Sequence, residues 1–373
     1  MAQVHGDCDE RFSGVRDALA ASLDRDDVGA SAAVFLDGRP VVDVWGGYAD
    51  AARTVPWERD TITNVWSTTK TMTALCALIL ADRGDLDLDA PVAAYWPEFA
   101  AAGKDAVLVR HLLSHTAGLP VWEEPITVED LYDWDKATSL LAAQAPQWEP
   151  GTASGYHALT QGYLVGEVIR RVTGTTVGAF LAAEVAGPLG ADFHIGLDPA
   201  HDHRVAPNLP GPRPREPRAD IMGKFTNPAV GAREASSLPW RRAEIPAAGG
   251  QGNARSVALI QSVLACGGEV NGVRLLSEAG CQTVLRQQSD GKDLMLGVPL
   301  RFGMGYGLNS PAVPVSPNPR TCFWGGYGGS LIIVDLDARL TIAYVMNQML
   351  HPGTLGDLRG ASIAMAAYGA LAS

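Results

Sequence analysis

Two pairs of β-rich runs, one near each end of this 373-residue chain, constrain its fold more than any other feature. Near the start, Ser31-Ala-Ala-Val-Phe-Leu36 and Pro40-Val-Val-Asp-Val-Trp45 flank Asp37-Gly38, a strong hairpin signal. Near the end, Leu331-Ile-Ile-Val-Asp335 and Leu340-Thr-Ile-Ala-Tyr-Val-Met-Asn347 flank a turn over Leu336 to Arg339. An Ala-rich helix begins at about Gly356. Strands with short tight turns in both terminal regions imply one antiparallel sheet assembled from the two ends.

The middle reads differently. Val128 to Ala145 and His157 to Val172 have helical spacing, punctuated by turn residues such as Gly151 and Gly174. Val205 to Pro246 is proline-rich with little periodicity, as expected of a lid or binding loop. The expected organisation is α+β: a discontinuous α/β domain from residues 1–85 and 245–373, with a mostly helical insertion over 86–244.

Composition removes several function classes. Apolar residues at 47% and charged residues at 19% suit a globular protein, not a disordered one. A net charge of −12 argues against nucleic acid or an anionic membrane as partner, since both demand a basic patch. The basic stretch Arg213 to Arg218 is interleaved with prolines and reads as a solvated loop. The N-terminus is acidic without an apolar h-region, and the longest apolar run, Met72 to Ala81, falls short of the roughly 20 residues a spanning helix needs. Cys8, Cys76, Cys266, Cys281 and Cys322 are scattered, with no C-x-x-C pair to suggest a disulfide framework or a zinc site. The expectation is a cytoplasmic enzyme with no metal and no cofactor, of undetermined oligomeric state.

Val65-Trp66-Ser67-Thr68-Thr69-Lys70 precedes a helical run that ends near Gly84, a suitable C-cap. Ser67 then sits at a helix N-terminus with Lys70 three residues on, on the same face. There the Ser67 N–H can receive an oxyanion and the lysine amine can reach the hydroxyl. Alone, S-x-x-K is weak, because a serine N-cap followed by an exposed lysine has the same pattern. Two further stretches accompany it. Tyr156 follows the Gly-rich turn in Pro150-Gly-Thr-Ala-Ser-Gly-Tyr156-His157-Ala158, where its bland reading is a core aromatic. Phe323-Trp324-Gly325-Gly326-Tyr327-Gly328-Gly329-Ser330 precedes a strand, and its glycines permit close backbone approach by a substrate or simply a flexible turn.

These elements, in this order, resemble the serine β-lactamase and penicillin-binding superfamily, and within its class C branch the family VIII carboxylesterases. Arg110-His-Leu-Leu-Ser-His115-Thr-Ala-Gly-Leu119, Gly84-Asp-Leu-Asp-Leu-Asp-Ala-Pro-Val92 and Pro246-Ala-Ala-Gly-Gly-Gln-Gly252 resemble segments of those esterases. The resemblance implies an antiparallel sheet flanked by helices, with Ser67, Lys70 and Tyr156 as catalytic residues. It also implies an oxyanion hole from the backbone N–H groups of Ser67 and Tyr327. Departures from the β-lactamase pattern matter: Tyr156-His157-Ala158 replaces Tyr-x-Asn, and Trp324-Gly325-Gly326 replaces Lys-Thr-Gly. The missing lysine and asparagine argue against a charged lactam acid and for a neutral ester.

The expected reaction is hydrolysis of short-chain or small aromatic esters through an acyl-enzyme on Ser67. Lys70 and Tyr156 would move the proton, in roles left open at this level. A lysine half-neutral at pH 7 departs from its ordinary value by about 4 kcal/mol. Trp324, Gly325, Gly326, Trp122 and Phe225 are candidate substrate-binding residues, and Trp134 and Tyr327 lie in segments that could also line the cleft. His111 and His115 read as satisfying backbone groups rather than as catalytic bases. There is no G-x-S-x-G and no H-E-x-x-H. The alternatives are a β-lactamase or D-amino-acid peptidase of this fold, and a catalytically silent scaffold.

Overall fold

The computed structural model describes residues 2–211, 224–350 and 356–372. The Arg213 to Arg218 stretch lies outside the described residues. Nine strands form one sheet: β1 (Val4–Cys8), β2 (Gly29–Leu36), β3 (Arg39–Gly47), β4 (Ser289–Lys292), β5 (Pro299–Phe302), β6 (Gly307–Leu308), β7 (Thr321–Gly325), β8 (Leu331–Asp335) and β9 (Leu340–Met346). Their order is β1-β3-β2-β9-β8-β7-β6-β5-β4, every pair antiparallel.

The two terminal hairpins are joined directly: β2 pairs with β9 from Ala30↔Met346 to Leu36↔Leu340. Asp37 (φ 51°) and Gly38 (φ 75°) both take positive φ, as a two-residue hairpin of this twist requires. In the other hairpin the Asp335 carboxylate accepts from the N–H groups of Asp337 and Ala338 and closes the turn. Strands β7, β8 and β9 are buried at every residue. Such strands need a cover on both faces. Helix α1 (Ser13–Arg25) packs with the C-terminal helix Leu358–Ala372 on one face, and Ala254–Ala265 lies on β2, β8 and β9 on the other.

Helix α2 (Thr69–Arg83) is buried without interruption from Thr69 to Leu80, as suits its mostly apolar run from Met72 to Ala81. Gly84 ends it in the left-handed conformation (φ 81°). The helical segment differs in detail from expectation. Val128 to Ala145 is broken at Asp133 into a 3-10 turn, Glu129–Tyr132, and helix α3, Trp134–Ala143, whose first turn the Asp133 carboxylate caps through Lys136 N–H. Helix α4 runs Thr160–Thr173 and not from His157, and Gly174 (φ 71°) caps it. Much of the expected loop before Pro246 is ordered, with short helices Ala232–Ala235 and Leu238–Arg242. Among the described residues no single helix is long and apolar enough to cross a membrane.

Candidate active site

A 3-10 turn, Trp66–Thr68, leads into α2 and carries Ser67. Trp66 adopts φ 50°, a left-handed conformation unfavourable for a bulky residue. Its ring is held against Trp240 (centroids 5.7 Å apart) and edge-on to Tyr327 (5.2 Å). Trp240 donates its Nε1–H to Asn64 Oδ1. The segment containing Pro246 to Gly252 packs beneath the turn: Val65 N–H donates to Gly250 O, and Gly250 N–H to Thr69 Oγ1.

The end of β7 closes on the other side. A Cβ at Gly326 would lie 2.2 Å from Ser330 Oγ and 2.3 Å from the Val65 carbonyl, so only glycine fits. Ser330 Oγ donates to Val65 O (2.8 Å) and lies 2.9 Å from Thr68 Oγ1. This clamp brings the Tyr327 turn to Ser67. Among the described residues no backbone hydrogen bond between separate elements uses the N–H of Ser67 or of Tyr327.

Lys70, in the first turn of α2, is 1% exposed. Its Nζ donates to the carbonyls of Ala158 (2.7 Å) and Ala247 (2.9 Å) and lies 3.2 Å from Ser67 Oγ. All three partners are neutral. Burial therefore holds the amine well below the ordinary lysine range. Tyr156 lies in an irregular segment ahead of α4, not at a helix start. Its hydroxyl donates to Ser67 Oγ (2.7 Å), and Trp324 Nε1–H approaches the phenol oxygen at 3.4 Å. Burial pushes this phenol well above its ordinary value. The two groups flanking Ser67 are driven in opposite senses, the amine towards neutrality and the phenol towards keeping its proton.

The backbone around Tyr156 is pinned by Asp293, which the sequence does not single out, and by His115, which it reads as serving the backbone. Asp293 Oδ1 accepts from Tyr156 N–H, and His115 Nδ1 accepts from His157 N–H. His157 Nε2 accepts from Leu119 N–H while its Nδ1 bonds Gly155 O. His111 Nδ1 accepts from Leu108 N–H. The histidines thus serve backbone groups. Apart from Asp293, the signals were local but ambiguous: His115, His157 and Ser330 all lie in stretches quoted above.

Of the candidate substrate-binding residues, Trp324 lies tilted against Tyr156 (5.3 Å), Phe225 meets it edge-on (6.2 Å), Gly325 ends β7 in its pair with Leu331, and Gly326 follows it. Met295, Leu296, Leu300 and Phe302 complete this apolar cluster around Tyr156. Trp122 is placed elsewhere: its ring packs in the main core against Tyr163, with Nε1–H donating to Ala137 O. Trp134 also packs on Tyr163 and donates to Glu167 Oε2. Both indoles find their partners in the helical segment, so neither needs the cleft. Among the described residues no group of three or more His, Cys, Asp or Glu side chains could hold a metal ion.

Comparison with known proteins agrees with this fold. Residues 15–364 match the Beta-lactamase family model. A crystal structure of a family VIII carboxylesterase superposes with a TM-score of 0.93 at 45% identity, covering 99% of this chain and 100% of that one. A penicillin-binding protein homologue from Caulobacter crescentus gives a TM-score of 0.92 at 38% identity, covering 99% and 100%. The esterase/beta-lactamase LipL of Mycobacterium tuberculosis is 37% identical over 96% of this chain and 86% of its own length. With a family match over nearly its whole length and these relatives, the chain belongs to the beta-lactamase family.

Proposed function

We propose that this protein is a serine carboxylesterase, hydrolysing neutral esters of short-chain or small aromatic acids through an acyl-enzyme on Ser67. One observation carries the reading: Ser67 Oγ sits between the Tyr156 hydroxyl at 2.7 Å and a buried Lys70 amine at 3.2 Å that has no carboxylate partner. A neutral amine has two N–H bonds and one lone pair. The carbonyls of Ala158 and Ala247 take the two N–H bonds, which leaves the lone pair for Ser67. Lys70 is thereby the base and Tyr156 the acid.

In acylation Ser67 Oγ bonds to the ester carbon as its proton passes to Lys70 Nζ. The carbonyl oxygen becomes an oxyanion held by the Ser67 and Tyr327 N–H groups, each such donor worth about 3 kcal/mol. Collapse breaks the bond to the leaving alkoxide, which takes the Tyr156 proton, and Lys70 returns its proton to the phenolate. Water then repeats the sequence on the acyl-enzyme and releases the acid.

The walls support a neutral substrate. Trp324, 1% exposed, stands where a lactam-binding lysine would stand in the resembling β-lactamases, within an apolar cluster. Lys224 is engaged with the Leu294 carbonyl at 2.9 Å. The test is hydrolysis of p-nitrophenyl acetate, butyrate and octanoate, with a chromogenic cephalosporin alongside, by wild type and Ser67→Ala. Ester turnover that falls with chain length and vanishes in the variant is the expected result. Fast cephalosporin turnover with little ester hydrolysis would replace this reading with a β-lactamase, and no turnover of either would replace it with a silent scaffold.

A further inference from the structure

We infer that Asp293 is the positioning residue of Tyr156, a buried carboxylate that fixes the phenol against Ser67 and keeps a negative charge behind it. The inference rests on the proposed role of Tyr156 as proton donor to the leaving alcohol. Asp293 lies at the tip between β4 and β5 and is 0% exposed. Its Oδ1 accepts three backbone N–H groups, from Tyr156 (3.1 Å), Met295 (3.0 Å) and Leu296 (2.8 Å). Its Oδ2 is buried without a hydrogen-bond partner among the described residues. A carboxyl needed only to brace a turn would bring both oxygens to donors or leave one in water. Here one oxygen gathers a small nest of N–H groups and the other stays bare.

The tip is tied to the Tyr156 segment a second time, since Leu294 N–H donates to Ser154 O at 2.8 Å. On the far side His157 N–H is held by His115 Nδ1. Tyr156 is therefore the residue between two side-chain anchors, and the tip residues Met295 and Leu296 also pack around its ring. The negative charge opposes ionisation of the nearby phenol, so the proton stays on Tyr156 until an alkoxide takes it; burial is the larger cause in the same direction. Proton delivery tolerates little misplacement, since a shift of about 1 Å costs about 100-fold.

The dependence on the leaving group separates this role from plain bracing. An alkoxide such as ethoxide needs a proton to depart, whereas p-nitrophenoxide departs without one. The experiment measures kcat/KM, which reports acylation and leaves out the deacylation step common to both esters, on ethyl butyrate and p-nitrophenyl butyrate for wild type, Asp293→Asn, Asp293→Ala, Tyr156→Phe and the Asp293→Asn/Tyr156→Phe double variant. Asp293→Ala is expected to lose about 100-fold in kcat/KM on the ethyl ester and less than about 5-fold on the nitrophenyl ester. Asp293→Asn keeps an acceptor oxygen without the charge and should fall between. In the Tyr156→Phe background Asp293→Asn should add no further leaving-group-dependent loss.

Equal losses on both esters in the Asp293 variants, or full additivity in the double variant, would overturn the inference. Should Asp293→Ala fail to fold, Asp293→Asn alone decides. If Tyr156→Phe itself loses equally on both esters, the proton-donor reading of Tyr156 fails, and additivity still reports whether Asp293 acts through it.

Discussion

Lowering the pH from 7.5 to 5.0 charges three imidazoles in the unfolded chain that the fold keeps neutral. His111, His115 and His157 are 7%, 2% and 0% exposed. Burial, aided by the neighbouring Arg110 guanidinium, lowers His111 to about 4. Burial lowers His157 to about 3 and holds His115 well below the ordinary range. Each uses a ring nitrogen as acceptor for a backbone N–H, from Leu108, His157 and Leu119 in turn, and protonation would destroy that bond. The unfolded chain takes up protons at each near pH 6.5 and the folded chain does not. Stability is therefore intact above pH 6.5 and falls below it until the folded values are reached. At pH 5.0 the loss is about 2 kcal/mol per histidine and about 6 kcal/mol for the three, a large share of a domain's 5–15 kcal/mol. Asp27 and Glu244, whose carboxyls burial raises, work in the opposite direction and trim the total. Urea unfolding followed by tryptophan fluorescence across this range measures the loss, and ring NMR of the folded protein measures the imidazoles directly. Titration of any of the three in the folded protein with a midpoint above 6 would refute the reasoning.

Other consequences are local. Ser330→Ala removes the clamp on Val65 O and Thr68; kcat should fall about 10-fold with KM held, and urea unfolding should register a loss of about 1–2 kcal/mol. Gly326→Ala forces a Cβ to within 2.3 Å of the Val65 carbonyl, so ester turnover should drop at least about 100-fold while circular dichroism stays native. Arg359→Met strands Asp27, 0% exposed, without its guanidinium; a loss of about 3–5 kcal/mol is expected by urea unfolding, partly restored in an Asp27→Asn/Arg359→Met double variant. Tyr156→Phe should cost about 100-fold in turnover of alkyl esters, and near-wild-type activity would remove its assigned role.

The parts of the fold legible in the sequence are those written locally. Asp37-Gly38 and the β-rich runs on either side specify a hairpin locally, and Gly84 and Gly174 stop their helices where a left-handed residue is needed. Strand β4, Ser-Asp-Gly-Lys, carries no β signal at all; it is a strand because β5 pairs with it from Lys292 to Ser289. The site divides in the same way. Ser67 and Lys70 are three residues apart on one helical turn, and their motif can be seen. Asp293 meets Tyr156 across 137 residues and leaves no local trace. Aromatic residues mislead for a related reason: Trp122 and Trp324 look alike in sequence, and only the partner of each indole N–H separates a core ring from one beside the phenol.

The pairing of β2 with β9 has a consequence for biosynthesis. Gly29 N–H bonds Asn347 Oδ1 across 318 residues, so β2 waits for a strand synthesised far downstream of it. Ser67 and Lys70 emerge early, while the Tyr327 turn arrives with the closing strands. Contacts so distant in sequence pay their loop-closure entropy before any reward, which makes sheet closure the slow event. The Ser67 turn and the Tyr327 turn therefore meet only once that sheet has closed.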